Sequence, residues 1–130
     1  MITQLGQVML YVTNQDEARD FWTRIMQFEV REDVSANGMR QIVLAPKGAA
    51  TAIVLHDAAI VEKMSPGVPL STPSLLFETL DIEALQARLT EAGSIVGELM
   101  EMPAGRVCNF TDNEGNHFAV VEKYPNMSYG

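Results

Sequence analysis

The chain has 130 residues, of which 47% are hydrophobic and 20% charged, and its formal net charge is −8 at pH 7. This composition excludes a mainly disordered chain, and the single cysteine excludes a disulfide scaffold. An acidic surface disfavours nucleic acid as a partner, no apolar run is long enough to cross a membrane, and the first residues lack a signal-peptide pattern. We therefore predict a cytoplasmic protein with neither nucleic-acid nor membrane partners.

The first half of the chain predicts one strand, one helix and three further strands. The predicted strands cover residues 6–12, 28–32, 39–45 and 51–56. Asn14 has the position of a helix N-cap, and apolar residues at helical spacing then continue to about Met26. The dipeptide Asn37-Gly38 favours a tight turn, so the second and third strands are predicted to form a hairpin.

The second half predicts the same order of elements again. Its strands are predicted at residues 74–79, 95–100, 106–111 and 117–123, with a helix that starts after Asp81 and ends before Gly93. An offset of 67 residues superimposes the two N-caps, Asn14 and Asp81, and also the apolar stripes of the two helices. Such internal repetition predicts two tandem βαβββ modules of the α+β class.

The predicted organisation is one domain over residues 1–130. Its modules cover about residues 1–57 and 72–125, and residues 58–71 connect them. Residues 58–64 of this connector are predicted to form a short helix, which the following Pro66 and Pro69 end.

Three segments of the chain resemble a known superfamily. They are the opening residues 8–12 (VMLYV), residues 17–22 (EARDFW) and the closing turn 110–116 (FTDNEGN). Together they resemble the vicinal oxygen chelate superfamily, which includes glyoxalase I, extradiol dioxygenases and the bleomycin resistance proteins. The resemblance covers essentially the whole chain. It implies that the two modules form a curled mixed sheet around a cleft. It also implies a homodimer.

The resemblance also implies four positions for the metal ligands of the superfamily's enzymes. In this chain they fall on Gln7, Val54, Ser74 and Ala119. Only the first of these offers a side chain of the kind that coordinates metals, and an amide is a poor ligand on its own, because a metal site needs several converging O, N or S donors. The sequence therefore predicts a member that lacks the usual metal ligands and uses no cofactor.

Side-chain alternation along the strands then predicts which residues line the cleft, if Gln7 points into it. The predicted ligand-binding residues are Gln7, Met9, Val54, His56, Ser74, Leu76, Asn109, His117 and Ala119. Cys108 has the opposite parity from Asn109, which predicts a thiol packed in the core.

Both histidines of the chain, His56 and His117, fall on this face. Three interpretations of them remain open. They are polar residues at strand ends, or they contact a ligand and transfer protons, or they rebuild a shifted metal site together with Gln7. They are therefore the two candidate catalytic residues.

The leading hypothesis is metal-free binding of a small molecule in the cleft, with cationic or aromatic molecules favoured by the acidic charge and the apolar lining. The alternative is an enzyme of the lyase, isomerase or dioxygenase type that uses a shifted metal site or histidine acid–base chemistry. A third hypothesis is a structural or regulatory partner protein whose cleft is vestigial.

Overall fold

The computed structural model describes residues 1–125, and each half of this range forms one four-stranded mixed sheet. The contacts divide the chain into two compact units, of which the first is Met1–Thr72 and the second begins at Pro73. The predicted α+β class and the two tandem βαβββ modules are confirmed. The last residues of the predicted domain, 126–130, lie outside the described range. None of the helices within residues 1–125 is long and apolar enough to span a membrane.

The first unit has the strand order β1-β4-β3-β2. Its strands are β1 (Gln7–Val12), β2 (Glu29–Ala36), β3 (Met39–Ala45) and β4 (Ala52–Asp57). Strands β1 and β4 are parallel, whereas β2, β3 and β4 pair antiparallel. Asn37 and Gly38 both have positive φ angles, 54° and 76°, as the predicted hairpin turn between β2 and β3 requires.

The helix of the first unit changes its winding halfway along. Helix α1 (Gln15–Asp20) begins at Asn14, whose side-chain oxygen accepts a hydrogen bond of 3.0 Å from the amide of Glu17. A π-helical segment, Phe21–Ile25, then continues it, so the predicted single helix is wider in its second part. This wide turn contains the buried residues Phe21 and Trp22, whose ring centroids lie 5.4 Å apart.

An ion-pair network joins α1 to the hairpin of β2 and β3. Arg40 on β3 donates to both carboxylate oxygens of Asp33 on β2, at 2.8 and 2.9 Å, and to Asp16 on α1 at 2.7 Å. Arg19 also bonds to Asp33. The hydrogen bonds from Arg40 hold the pKa of Asp33 below its ordinary value, because they stabilise the carboxylate form.

Replacing Asp33 by asparagine is expected to lower the free energy of unfolding by about 2 kcal/mol at neutral pH, because the half-buried Arg40 loses its charged acceptor. The folded pKa of Asp33 is depressed, so its contribution is present above the ordinary pKa of 3.8 and is lost as the pH falls below it. Urea denaturation of both proteins between neutral and acidic pH measures this difference.

The matched control for this experiment is Asp20→Asn. Asp20 and Arg24 form an exposed pair at 3.3 Å, with side chains that are 58% and 75% accessible. Solvent screens such pairs, so this change is expected to shift stability by less than about 0.5 kcal/mol. A stability difference between wild type and Asp33→Asn that persists unchanged in acid would contradict the assignment.

The connecting segment contains helix α2 (Ala58–Met64), at the predicted residues. Asp57, the last residue of β4, is its N-cap and accepts from the amides of Ala59 and Ile60 at 2.9 and 3.4 Å. The connecting segment belongs to the first unit up to Thr72.

The second unit repeats the topology, with the strand order β5-β8-β7-β6. Its elements are β5 (Leu76–Glu78), α3 (Ile82–Glu91), β6 (Met100–Met102), β7 (Gly105–Thr111) and β8 (His117–Lys123). Strands β5 and β8 are parallel, and β8, β7 and β6 pair antiparallel. Asp81 caps α3 through the amide of Ala84 at 3.0 Å, and Gly93 has a φ angle of 90°, as predicted for the two helix ends.

The core of the second unit is aromatic. The ring centroids of Phe110 lie 6.2 Å from Phe77 and 5.8 Å from Phe118. Cys108 is buried, as its strand parity predicted, and burial raises the pKa of its thiol. A thiol with a raised pKa is a poor nucleophile near neutral pH, so this cysteine belongs to the packing.

Three predicted strands had boundaries that were wrong by more than one residue. Strand β2 continues to Ala36 because backbone pairing with β3 extends to the turn, although its outer residues are exposed and polar. Strand β5 has only three residues, and β6 begins at Met100 instead of residue 95. Residues 95–97 lie alongside β7, but they form only an isolated bridge between Val96 and Phe110 and not a strand. The amide of Ile95 donates to the side-chain hydroxyl of Thr111 instead of to a backbone carbonyl.

Candidate functional site

Five of the predicted site residues line one pocket of the second unit. This pocket has a volume of about 290 Å³ and is here named the His117 pocket; its lining residues are Ser74, Leu75, Leu76, Asn109, His117, Phe118 and Ala119. The sheet register explains this grouping, because Ala119 on β8 pairs with Leu76 on one side and with Asn109 on the other. All three therefore project from the same face of the sheet.

The His117 pocket combines polar and apolar groups. Leu76 is 53% exposed, although it is a large hydrophobic residue. Asn109 and His117 are exposed beside it and offer an amide and an imidazole. Ligand pockets commonly have such a mixture, in which apolar groups provide contact area and a few polar groups fix the orientation.

The other four predicted site residues lie on the first sheet. Gln7 and Met9 are exposed on β1, and Met9 retains 49% of its accessible surface. His56 on β4 is half-buried, and its ring stacks on Tyr11 with the centroids 6.1 Å apart. Val54 is buried and belongs to a small apolar cluster with Val43, Ala45 and Ala52. Its predicted ligand contact stays a prediction, for a side chain that is 1% exposed.

Gln7 also lines a pocket of the first unit. This pocket, here named the Gln7 pocket, has a volume of about 550 Å³; its lining residues are Gln4, Gly6, Gln7, Arg31, Glu32, Val43, Ala50 and Ala52. Sequence reasoning missed Arg31 and Glu32. In a regular strand, only one of two consecutive side chains points to a given face. Arg31 and Glu32 depart from this rule, and nothing in the local sequence signals the departure.

Burial lowers the pKa of His56 below its ordinary value of 6.5, because the half-buried ring disfavours the charged imidazolium. An NMR pH titration is therefore expected to show a midpoint for His56 below 6.5. The folded state holds this ring neutral while the unfolded chain takes up a proton, so stability falls as the pH drops below that value.

The variant His56→Gln is expected to lose this part of the acid sensitivity, and His117→Gln serves to assign the two histidine resonances. An unshifted His56 midpoint, or equal acid sensitivity of wild type and His56→Gln, would contradict the prediction.

The donor groups on these faces do not fit the metal of the superfamily's enzymes. Two of the four implied ligand positions carry Val54 and Ala119, whose side chains have no donor atom. Within residues 1–125, no three His, Cys, Asp or Glu side chains come together in a way that could hold a metal ion.

The comparisons with known proteins agree with this fold. Residues 4–120 match the Glyoxalase/Bleomycin resistance protein/Dioxygenase superfamily. The Bacillus subtilis (strain 168) protein YetH is 32% identical over 124 residues, which are 94% of this chain and all of the relative.

Two solved structures extend the comparison. TnmS3, an antibiotic binding protein from Streptomyces sp. CB03234, is 31% identical and covers 95% of this chain and 98% of its own, with a TM-score of 0.80. A superfamily member from Sphaerobacter thermophilus is 26% identical, with a TM-score of 0.78 over 94% of this chain and 98% of its own. The chain belongs to the glyoxalase/bleomycin resistance/dioxygenase superfamily, as the sequence resemblance predicted.

Proposed function

We propose that this protein binds a small molecule on the sheet faces that contain the His117 pocket and the Gln7 pocket, without using a metal ion. The observation that carries the proposal is the His117 pocket, in which five residues predicted from the sequence come together. The likeness to TnmS3, an antibiotic binding protein at 31% identity, supports binding as the activity. The residues proposed to contact the ligand are the nine predicted from the sequence. Val54 contributes as part of its buried apolar cluster.

The chemistry of these faces favours an aromatic or cationic ligand. The rings of Tyr11 and His56 stack and offer a flat surface. The exposed side chain of Met9, two residues before Tyr11 on β1, adds a polarisable group. The net charge of −8 attracts cations over a long range.

Titration with a panel of aromatic and cationic natural products, followed in amide NMR spectra, tests the proposal. A saturable ligand is expected to shift the amide signals of Leu76, Asn109 and Ala119. Asn109→Ala is expected to weaken this ligand about fivefold to tenfold, because one hydrogen bond is worth roughly 1 kcal/mol.

Asn113→Ala is the matched control, since Asn113 is exposed in the nearby turn and does not line the pocket. It is expected to leave the dissociation constant unchanged. A panel without any saturable ligand, or equal effects of the two asparagine variants, would count against the proposal.

Metal analysis tests the metal-free part of the proposal. Protein produced with manganese, iron, nickel and zinc available is expected to contain much less than one equivalent of any of them. Ligand affinity is expected to be the same before and after treatment with a chelator. One equivalent of a single metal, with binding lost on chelation, would overturn this part.

The alternative function is an enzyme that uses histidine acid–base chemistry. One observation favours it: the half-buried ring of His56 stacks on Tyr11 on the predicted ligand-binding face, and burial lowers its pKa, which favours the neutral form that can accept a proton. This alternative requires turnover of a bound molecule that disappears in His56→Ala or His117→Ala while binding persists. Loss of binding without any turnover in the wild type supports the binding function instead.

We further propose a single-domain, cytoplasmic homodimer. Exposed apolar side chains on the edge strand β6, Met100 and Met102, support self-association, because such groups are commonly covered at interfaces. The single buried thiol suits a reducing compartment. Sedimentation at micromolar concentration is expected to give twice the mass of one chain, and a single-chain mass would contradict the dimer.

A further inference from the structure

Strand β2 contains a bulge at Arg31. Val30 pairs with Leu44 and Glu32 pairs with the adjacent Val43, so Arg31 is an extra residue without a partner in the ladder. A bulge of this kind turns the side chain of the inserted residue away from regular alternation. As a result, the consecutive residues Arg31 and Glu32 both line the Gln7 pocket.

The charge of Arg31 is not neutralised by a carboxylate. Its Nη2 atom donates to two backbone carbonyls, those of Ala49 at 2.6 Å and Pro46 at 3.5 Å. These acceptors orient the guanidinium but carry no net charge, and its Nε and Nη1 groups make no hydrogen bond with the described residues. Arg31 therefore presents a full positive charge beside the pocket in a strongly acidic protein.

Glu32 is likewise uncommitted. Its carboxylate takes part in none of the ion pairs or side-chain hydrogen bonds among residues 1–125, although Arg31 is its neighbour in sequence. The pocket thus presents one positive and one negative group that do not neutralise each other.

The rest of the Gln7 pocket is suited to an organic molecule. Val43 and Ala52 are each only 4% exposed and form an apolar floor, and the exposed amide of Gln7 adds an NH₂ group that donates and a carbonyl oxygen that accepts. The volume of about 550 Å³ is in the range of small-molecule sites.

We infer that the Gln7 pocket binds a zwitterionic, amino-acid-like group attached to an apolar body. The ligand's carboxylate pairs with the free N–H groups of Arg31, and its ammonium group pairs with Glu32. A simple anion is repelled by Glu32 and a simple cation by Arg31, so the adjacent charges select for a ligand that carries both. This inference rests on the proposed binding function and adds the chemistry of the ligand at this pocket.

Three matched probes test the inference: L-phenylalanine, hydrocinnamate, which lacks the ammonium group, and phenethylamine, which lacks the carboxylate. Titrations in amide NMR spectra are expected to show saturable shifts of Gln7, Arg31 and Glu32 with L-phenylalanine. The other two probes are expected to bind about tenfold more weakly, since each lacks one charge-assisted pair worth roughly 1.4 kcal/mol.

Variants of the charged residues are expected to abolish this selectivity. Glu32→Gln lowers the affinity for L-phenylalanine about tenfold and does not weaken hydrocinnamate, because only the ammonium contact is lost. Arg31→Gln likewise lowers the affinity for L-phenylalanine about tenfold but does not weaken phenethylamine, because only the carboxylate contact is lost. The matched control Glu29→Gln, on the same strand but outside the pocket lining, leaves all three affinities unchanged.

The probe selectivity separates a binding role of Arg31 from a structural one. If Arg31 serves only to hold the turn at Pro46 and Ala49, Arg31→Gln weakens all probes equally, and the inference is overturned. No saturable shift with L-phenylalanine also overturns it. If the natural-product panel then still shifts signals of the His117 pocket, the proposed function stands without this inference. If no probe causes saturable shifts at either pocket, both the inference and the proposed function are refuted.

Discussion

Replacing Phe110 by alanine is expected to lower the free energy of unfolding by about 3–5 kcal/mol. Phe110 is completely buried on β7, and its ring contacts those of Phe77 and Phe118. Alanine would leave a cavity at the centre of this cluster. The lost apolar burial and the lost ring contacts both favour unfolding.

Urea denaturation followed by circular dichroism measures this loss. The control is Leu80→Ala, because Leu80 in the same unit is fully exposed and its truncation is expected to change stability by less than about 0.5 kcal/mol. Equal effects of the two substitutions would show that the aromatic cluster does not stabilise the unit.

The second large effect is expected for Gly105→Ala. A Cβ atom at Gly105 would overlap the carbonyl oxygen of Glu122 and would lie 2.9 Å from the Cα atom of Lys123. Both are backbone atoms of β8, the strand that pairs with β7 at this position, so they cannot rotate away. We expect a destabilisation of about 3 kcal/mol, the upper end of the range for overpacking.

Displacement of β8 here also affects the start of α3. The Glu122 carboxylate accepts from the amide of Ile82 at 2.8 Å and from Arg106 at 2.9 Å. Gly105→Ala is therefore expected to expose amides of the first turn of α3 to faster hydrogen exchange.

Gly97→Ala is the matched control, because its nearest neighbours would lie 3.6 Å away, at an ordinary van der Waals distance. It is expected to change stability by less than about 1 kcal/mol in either direction. Thermal unfolding of the two alanine variants distinguishes the outcomes. Equal stability of Gly105→Ala and Gly97→Ala would contradict the close packing of β7 against β8 at Gly105.

The local sequence was sufficient to predict most elements of the fold. Asn14 and Asp81 cap the helices as predicted, because a capping side chain satisfies amides only three residues away. The long strands β3 and β8 have the predicted boundaries, since a buried strand has a strong apolar signal. The short strands β5 and β6 were misplaced because their ends are set by the hydrogen bonds of neighbouring segments.

Alternation along the strands also placed Leu76, Asn109, His117 and Ala119 on one face, and the structure brings them together in one pocket. These residues share a face because β5, β8 and β7 are neighbours in a regular ladder, and their contact with a ligand stays a prediction. Alternation did not place Arg31 beside the Gln7 pocket, because a bulge depends on the register between two strands and not on the residues of one strand.

The sequence by itself determined the superfamily, the tandem βαβββ order and the lack of donor atoms at Val54 and Ala119, because these follow from residue identity and local periodicity. Only the tertiary structure decided that Arg31 and Glu32 share the Gln7 pocket and that Val54 is buried in its apolar cluster. Both features arise from pairing between strands that are distant along the chain, where register and side-chain packing, rather than local preference, control which groups meet.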